Sequence, residues 1–93
     1  MNKSELIEAI AQETNMPLRE ASIVTNTILD SMVDSLAAGD NIEIRGFGSF
    51  MIKIYESYFG RNPKTGEKIQ VPPKKLPFFK VGKELKERVN IAD

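Results

Sequence analysis

The stretch FGRNPKTGEKI, residues 59 to 69, lies between two runs that read as strands, and it limits the fold more than any other feature. Before it, FGSFMIKIY is rich in β-branched and aromatic residues, with Phe50, Ile52 and Ile54 on one side and Met51, Lys53 and Tyr55 on the other. After it, KIQV and KKLPFFK read as the returning strand. The two runs make a long hairpin, with an arm over about residues 52 to 76. Ten residues on each side of the tip span roughly 33 Å at about 3.3 Å per residue. Nothing in the chain is left to pack against the outer half, and isolated two-stranded ribbons are marginal in water. Such an arm is expected to be mobile until a partner binds it.

What remains must fold with little material. The chain has 93 residues, which suits one domain, residues 1 to 93. A chain this short that commits an arm to solvent needs a staple. There is no Cys and no His, so neither a disulfide nor the usual soft metal site is available, and oligomerisation is the staple left. The same absences remove a Ser-His pair and a thiolate nucleophile. No spacing singles out a carboxylate pair among the 13 acidic residues, so no enzyme and no cofactor is expected. No run is long and apolar enough for a signal peptide or a membrane span, and a cytoplasmic location is expected.

Residues 1 to 40 read as helical. Asn2 can cap a helix running to about Thr14, with Glu5 completing a capping box, and Asn15-Met16-Pro17 breaks it. Pro17 suits the first turn of a second helix. There Ala21, Val24, Ile28, Met32 and Leu36 recur in steps of three and four, widened by Leu29 and Val33, until Gly39-Asp40. Residues 41 to 80 carry the strands and the arm, in which Pro72, Pro73 and Pro77 interrupt the return and face an open edge or a bulge. Residues 81 to 93 hold a short helix and tail. The expected class is α+β, in the order α-α-β-β-β-α, with a three-stranded antiparallel sheet.

Net charge is zero, but its distribution is uneven. Residues 1 to 44 carry two basic and eight acidic groups, a net −6; residues 45 to 93 carry eleven and five, a net +6. The basic half is what a phosphate backbone would meet, although two ordinary solvated faces would look the same. Lys53, Lys74, Lys75, Lys80, Lys83 and Lys86 belong to it, and Lys3 sits at the first helix N-terminus. As phosphate ligands they would add salt-dependent affinity; lysines on exposed strands also serve solubility and edge protection.

At the tip, Asn62-Pro63 followed by Thr65-Gly66 is a sound turn on local grounds alone. The turn does not account for Arg61 and Lys64 on either side, or for the length of the stalk. Arginine on a thin ribbon can enter a minor groove, asparagine can bond acceptors on its floor, and proline is a rigid apolar wedge. Phe47, Phe50 and Phe79, with Phe78, bracket the base of the arm and read as core shared between two chains.

GFGSF at 46 to 50, GRNPKTGEKI at 60 to 69 and PFFKVGKELKERVN at 77 to 90 resemble the bacterial HU and integration host factor family of DNA-bending proteins. The resemblance covers nearly the whole chain, and IEIRGFGSF and KELKERVNI are more like integration host factor beta chains than a typical HU. It implies an intertwined dimer, paired with itself or with a related subunit, whose two β-ribbon arms wrap double-stranded DNA in the nucleoid. Pro63 would wedge between base pairs; Arg61, Asn62 and Lys64 would lie in the minor groove, with Arg45 beside Glu43 reading groove shape. There are two departures. Asn41 stands where such chains carry a basic residue, which counts against sequence-specific reading. The ascending YESYFG lacks the arginine or lysine common in the family, which with a neutral net charge implies weaker phosphate affinity. The expectation is therefore a non-catalytic DNA-bending dimer that binds no membrane and no small-molecule substrate. The competing expectation is a dimeric scaffold that binds protein through Tyr55, Tyr58 and Phe59.

Overall fold

A computed structural model describes residues 1–91; the last two residues of the expected tail, Ala92 and Asp93, lie outside the described residues. The chain divides into two compact units, Met1–Ser35 and a second that begins at Leu36.

In the first unit, α1 spans Lys3–Thr14. The Asn2 side chain accepts a hydrogen bond from the Glu5 N–H at 2.8 Å, satisfying one of the donors that a helix start leaves free. The expected capping box is thus seen in its Asn2 half. Asn15 ends the helix in the left-handed region, at φ 55°. The second helix, α2, spans Leu18–Ala37. Pro17 stands just ahead of it, and its carbonyl accepts the first helical bond from the Ala21 N–H at 3.1 Å. Proline therefore occupies the capping position here, one residue earlier than expected.

The apolar stripe of α2 is helical in period, as read from the sequence, yet much of it is exposed. Ala21 is buried, Met32 and Leu36 are half-buried, and Val24, Ile28, Leu29 and Val33 are exposed. Ile28 is 53% exposed and Val33 63%. Ala21 is the one buried apolar residue of the described chain, and Thr25, whose hydroxyl donates to the Ala21 carbonyl at 2.7 Å, is the buried polar one. A stripe of this width needs more apolar surface opposite it than one short chain has to offer.

The second unit begins with β1 (Ile42–Ile44), β2 (Gly48–Tyr55) and β5 (Lys74–Val81), which form an antiparallel sheet in the order β1-β2-β5. Between β2 and β5, β3 (Tyr58–Arg61) and β4 (Lys68–Val71) form a separate two-stranded ribbon. The expected hairpin is therefore present but divided. Its ladder stops at the pair Tyr55–Lys74 and resumes at Tyr58–Val71, so Glu56-Ser57 faces Pro72-Pro73 across the gap. Two successive prolines offer no N–H to the opposite strand, and pairing lapses on both strands at the same height. Pro77, by contrast, interrupts nothing: it pairs with Ile52 in β5, an edge strand that can forgo a donor. The closing helix α3 spans Lys83–Val89, and the Gly82 N–H, just before it, donates to the Phe47 carbonyl at 2.9 Å.

Alternation gives the sheet two unlike faces. Ile42, Phe50, Ile52, Ile54, Pro77, Phe79 and Val81 share one, and Ser49, Met51, Lys53, Tyr55, Lys74, Leu76, Phe78 and Lys80 the other. On the first face the Phe79 ring lies 4.8 Å from that of Phe50 and 5.4 Å from that of Phe47. Gly48 makes room for it: a Cβ there would come within 2.7 Å of the Phe79 ring and 2.6 Å of the Lys80 carbonyl oxygen. This face too is incompletely covered, with Phe47, Phe79 and Val81 all exposed.

Candidate nucleic-acid interface

The tip is a hydrogen-bonded structure and not a slack loop. The Asn62 N–H donates to the Glu67 carbonyl at 2.8 Å, and the Gly66 N–H returns to the Asn62 carbonyl at 2.7 Å. Side chains close the remaining gaps. Asn62 Oδ1 accepts from the Lys64 N–H at 2.9 Å, and Thr65 Oγ1 accepts from the Glu67 N–H at 3.2 Å. These are the local bonds that favour Asn and Thr in turns. Gly66 has φ +73°, which an L side chain rarely adopts. Arg61 Nη1 donates to the Gly66 carbonyl at 3.2 Å and so braces the turn from the ribbon side.

Within this frame Pro63 is exposed at the apex, where its missing N–H leaves nothing unsatisfied. Asn62 is half-buried, and its carbonyl oxygen is spent on the turn, so the donors of its amide are what it can present outward. The structure shows Asn62 holding the tip together.

The lysines fall into distinct settings. Lys53, Lys74 and Lys80 share one face of the sheet, while Lys75, opposite Ile54, lies on the other with the Phe50–Phe79 cluster. Phe78, grouped by sequence with the other phenylalanines, stands apart from them beneath Lys53, whose Nζ is 3.9 Å from the ring centroid. Lys74 Nζ lies 5.8 Å from the Tyr55 ring, and Lys68 Nζ 4.8 Å from the Phe59 ring. Such contacts contribute about 0.5–1 kcal/mol at exposed sites and leave the ammonium charge undiminished. Only the register shows what Lys68 faces.

The remaining basic residues are less concentrated. Lys3 Nζ donates to Asn26 Oδ1 at 2.9 Å, within the helical unit. Lys83 and Glu87 are 3.9 Å apart on α3, and Lys86 lies in the last turn of that helix with Arg88. Arg45 occupies the exposed turn between β1 and β2. Lys83–Glu87 is the one ion pair among the described residues, so Arg45, Lys53, Arg61, Lys64, Lys68, Lys74, Lys75, Lys80 and Lys86 carry charge that no described acid offsets at contact distance. Among the described residues no group of three or more acidic side chains is placed to hold a metal ion, and no helix is long and apolar enough to cross a membrane.

The comparisons with known proteins agree with one another. Residues 1–90 match the model of the bacterial DNA-binding protein family. The chain is 55% identical over 91 residues to the integration host factor subunit beta of Ralstonia nicotianae, covering 97% of this chain and 66% of that protein, so it spans just under two thirds of that relative's length. It is 52% identical over 92 residues to the integration host factor subunit beta of Histophilus somni, covering 98% of each. Among solved structures, an Anabaena HU–DNA cocrystal structure matches with a TM-score of 0.86 at 36% identity, covering 97% of this chain and 98% of that one. HU from Thermotoga maritima matches with a TM-score of 0.67 at 31% identity, covering 97% and 100%. Through a family match along almost its whole length and relatives at half identity or more, the chain belongs to the bacterial DNA-binding proteins of the HU and integration host factor family.

Proposed function

We propose that the chain is one subunit of a dimeric, non-catalytic DNA-bending protein of the nucleoid, and that Pro63 is its wedge. The observation that carries this reading is the tip itself: an exposed proline held by five hydrogen bonds at the end of a thin, basic ribbon. A wedge must be stiff to unstack a base step, which costs a few kcal/mol, and the wrapped contacts must offset that cost. Arg61, Asn62 and Lys64 flank it as minor-groove contacts, and Arg45 reads groove shape from the β1–β2 turn. Lys53, Lys74 and Lys80 on one sheet face, with Lys3, Lys75, Lys83 and Lys86, supply sequence-blind attraction to phosphate.

The dimer follows from what the chain leaves uncovered. Phe47, Phe50 and Phe79 form a cluster too exposed to serve as a finished core, and a second subunit of the same fold would complete it. The relatives are named as subunits, which fits pairing with a related chain as well as with itself. In this layout residues 1–40 and the sheet make the dimer base, the arm reaches DNA, and residues 81–93 close the chain.

The test is a salt titration of the chain against an end-labelled duplex of random sequence, reading binding and end-to-end distance together. Salt-sensitive binding with the ends drawn together supports the proposal. Absence of binding near physiological salt, both alone and with a related partner subunit, would overturn it in favour of a protein-binding scaffold using Tyr55, Tyr58 and Phe59.

A further inference from the structure

Arg45 stands in a four-residue turn, Ile44–Phe47, that is held from outside as well as from within. Within it, the Phe47 N–H donates to the Ile44 carbonyl at 3.0 Å, and Gly46 has φ +83°, the sign that the third position of a type II turn requires. From outside, the start of α3 closes on it. The Gly82 N–H donates to the Phe47 carbonyl at 2.9 Å. The two backbones lie so near that a Cβ on Gly82 would stand 3.2 Å from the Phe47 carbonyl carbon and oxygen and 3.4 Å from the Gly48 nitrogen. Gly82 itself has φ −78° and ψ 161°, a conformation open to any residue, so its missing side chain answers to Phe47 and not to its own backbone. Two residues on, Glu84 leans back over the turn: a Cβ on Gly46 would come within 2.9 Å of Glu84 Oε2. An acid in the first turn of a helix is ordinarily accounted for by the helix alone. Its place over Gly46 is not, and among the described residues it makes no ion pair.

We infer that the head of α3 is a seat for the β1–β2 turn, with Gly82 and Glu84 as positioning residues that fix where Arg45 meets DNA. The inference rests on the DNA-binding reading and deepens it. A cation on a free turn can meet phosphate at many points. One on a braced turn is presented at a single place, and holding a recognition side chain to within about 0.5 Å is what separates a shaped contact from general attraction. Neither Gly82 nor Glu84 needs to touch the duplex for this.

The test uses the full-length chain in its dimeric form and compares Gly82→Ala, Glu84→Ala and Glu84→Gln, each alone and combined with Arg45→Gln. Two quantities are read: amide exchange at Phe47 in the free protein, and affinity as a function of salt for an A-tract duplex, whose narrow minor groove attracts arginine. Gly82→Ala must displace Phe47 by a few tenths of an ångström and should speed its exchange. It should also weaken binding without changing the log–log salt slope, because it removes no charge. In the Arg45→Gln background it should weaken binding no further, the non-additivity expected of residues that act through one another. Glu84 is exposed, so Glu84→Ala keeps the test open should Gly82→Ala fail to fold. It should speed exchange at Phe47, and Glu84→Gln, which keeps the contact, should not. Unchanged exchange in Gly82→Ala would overturn the seat, and unchanged exchange in Glu84→Ala would remove Glu84 from it. A loss of binding in Gly82→Ala that persists undiminished without Arg45 would overturn the positioning role. If the parent chain binds no duplex, the DNA-binding reading itself fails, while exchange at Phe47 still decides the seat.

Discussion

At the scale of single residues, two positions separate shape from charge. Pro63 makes no hydrogen bond through its nitrogen and is exposed, so Pro63→Ala should leave the fold and the first electrostatic capture nearly intact while reducing the bend. A titration that reports the bend and the binding separately checks this, and equal losses in both would count against a wedge. Arg61→Ala has two consequences, since Arg61 is both a cation and a brace on Gly66. It should flatten the salt dependence and also loosen the turn, visible as faster amide exchange at Gly66 and Glu67. Gly48→Ala is a purely structural counterpart. The added methyl meets the Phe79 ring and the Lys80 backbone, and such overpacking should cost about 1–3 kcal/mol in chemical denaturation.

At the scale of elements, the break in the arm is the feature with a mechanical meaning. Beyond Tyr55–Lys74 the ladder has no bonds until Tyr58–Val71, so the outer ribbon is joined to the sheet by two unpaired dipeptides. Amides of β3 and β4 should exchange with solvent faster than those in the middle of β2. Replacing Pro72 and Pro73 together with valine would restore two donors, and protection of the outer ribbon should then rise toward that of the sheet. No change would assign the break to Glu56-Ser57 instead. Much at this scale was legible in the sequence, because helices and strands announce themselves locally. Asn2 caps α1, Gly39-Asp40 follows α2, and Asn62-Pro63 with Gly66 forms the tip. What was not legible depends on register. That Arg61 faces Lys68, and that Pro77 is harmless where Pro72-Pro73 is disruptive, both follow from which residues pair across the strands. Turn hydrogen bonds fix that pairing, and composition does not reveal it.

At the scale of the whole molecule, the chain has almost no interior of its own. A stripe with Ile28 and Val33 more than half exposed cannot stabilise a folded monomer, so folding and association should be one event. The melting temperature should therefore rise with protein concentration, and Ile28→Asp should abolish both the dimer in light scattering and most of the helical signal in circular dichroism. A stable, helical monomer in that variant would contradict the coupling. The break in the arm carries this further. All of the exposed α2 stripe and the Phe47–Phe50–Phe79 cluster lie outside the segment from Tyr58 to Val71, while Pro63, Arg61 and Lys64 lie within it. A chain in which the segment from Tyr58 to Val71 is deleted and replaced by a short turn should thus keep the surfaces proposed to recruit a partner and lose those proposed to deform DNA. On the proposed reading such a variant would be a poison subunit, able to occupy intact chains and silence one arm of each pair it joins.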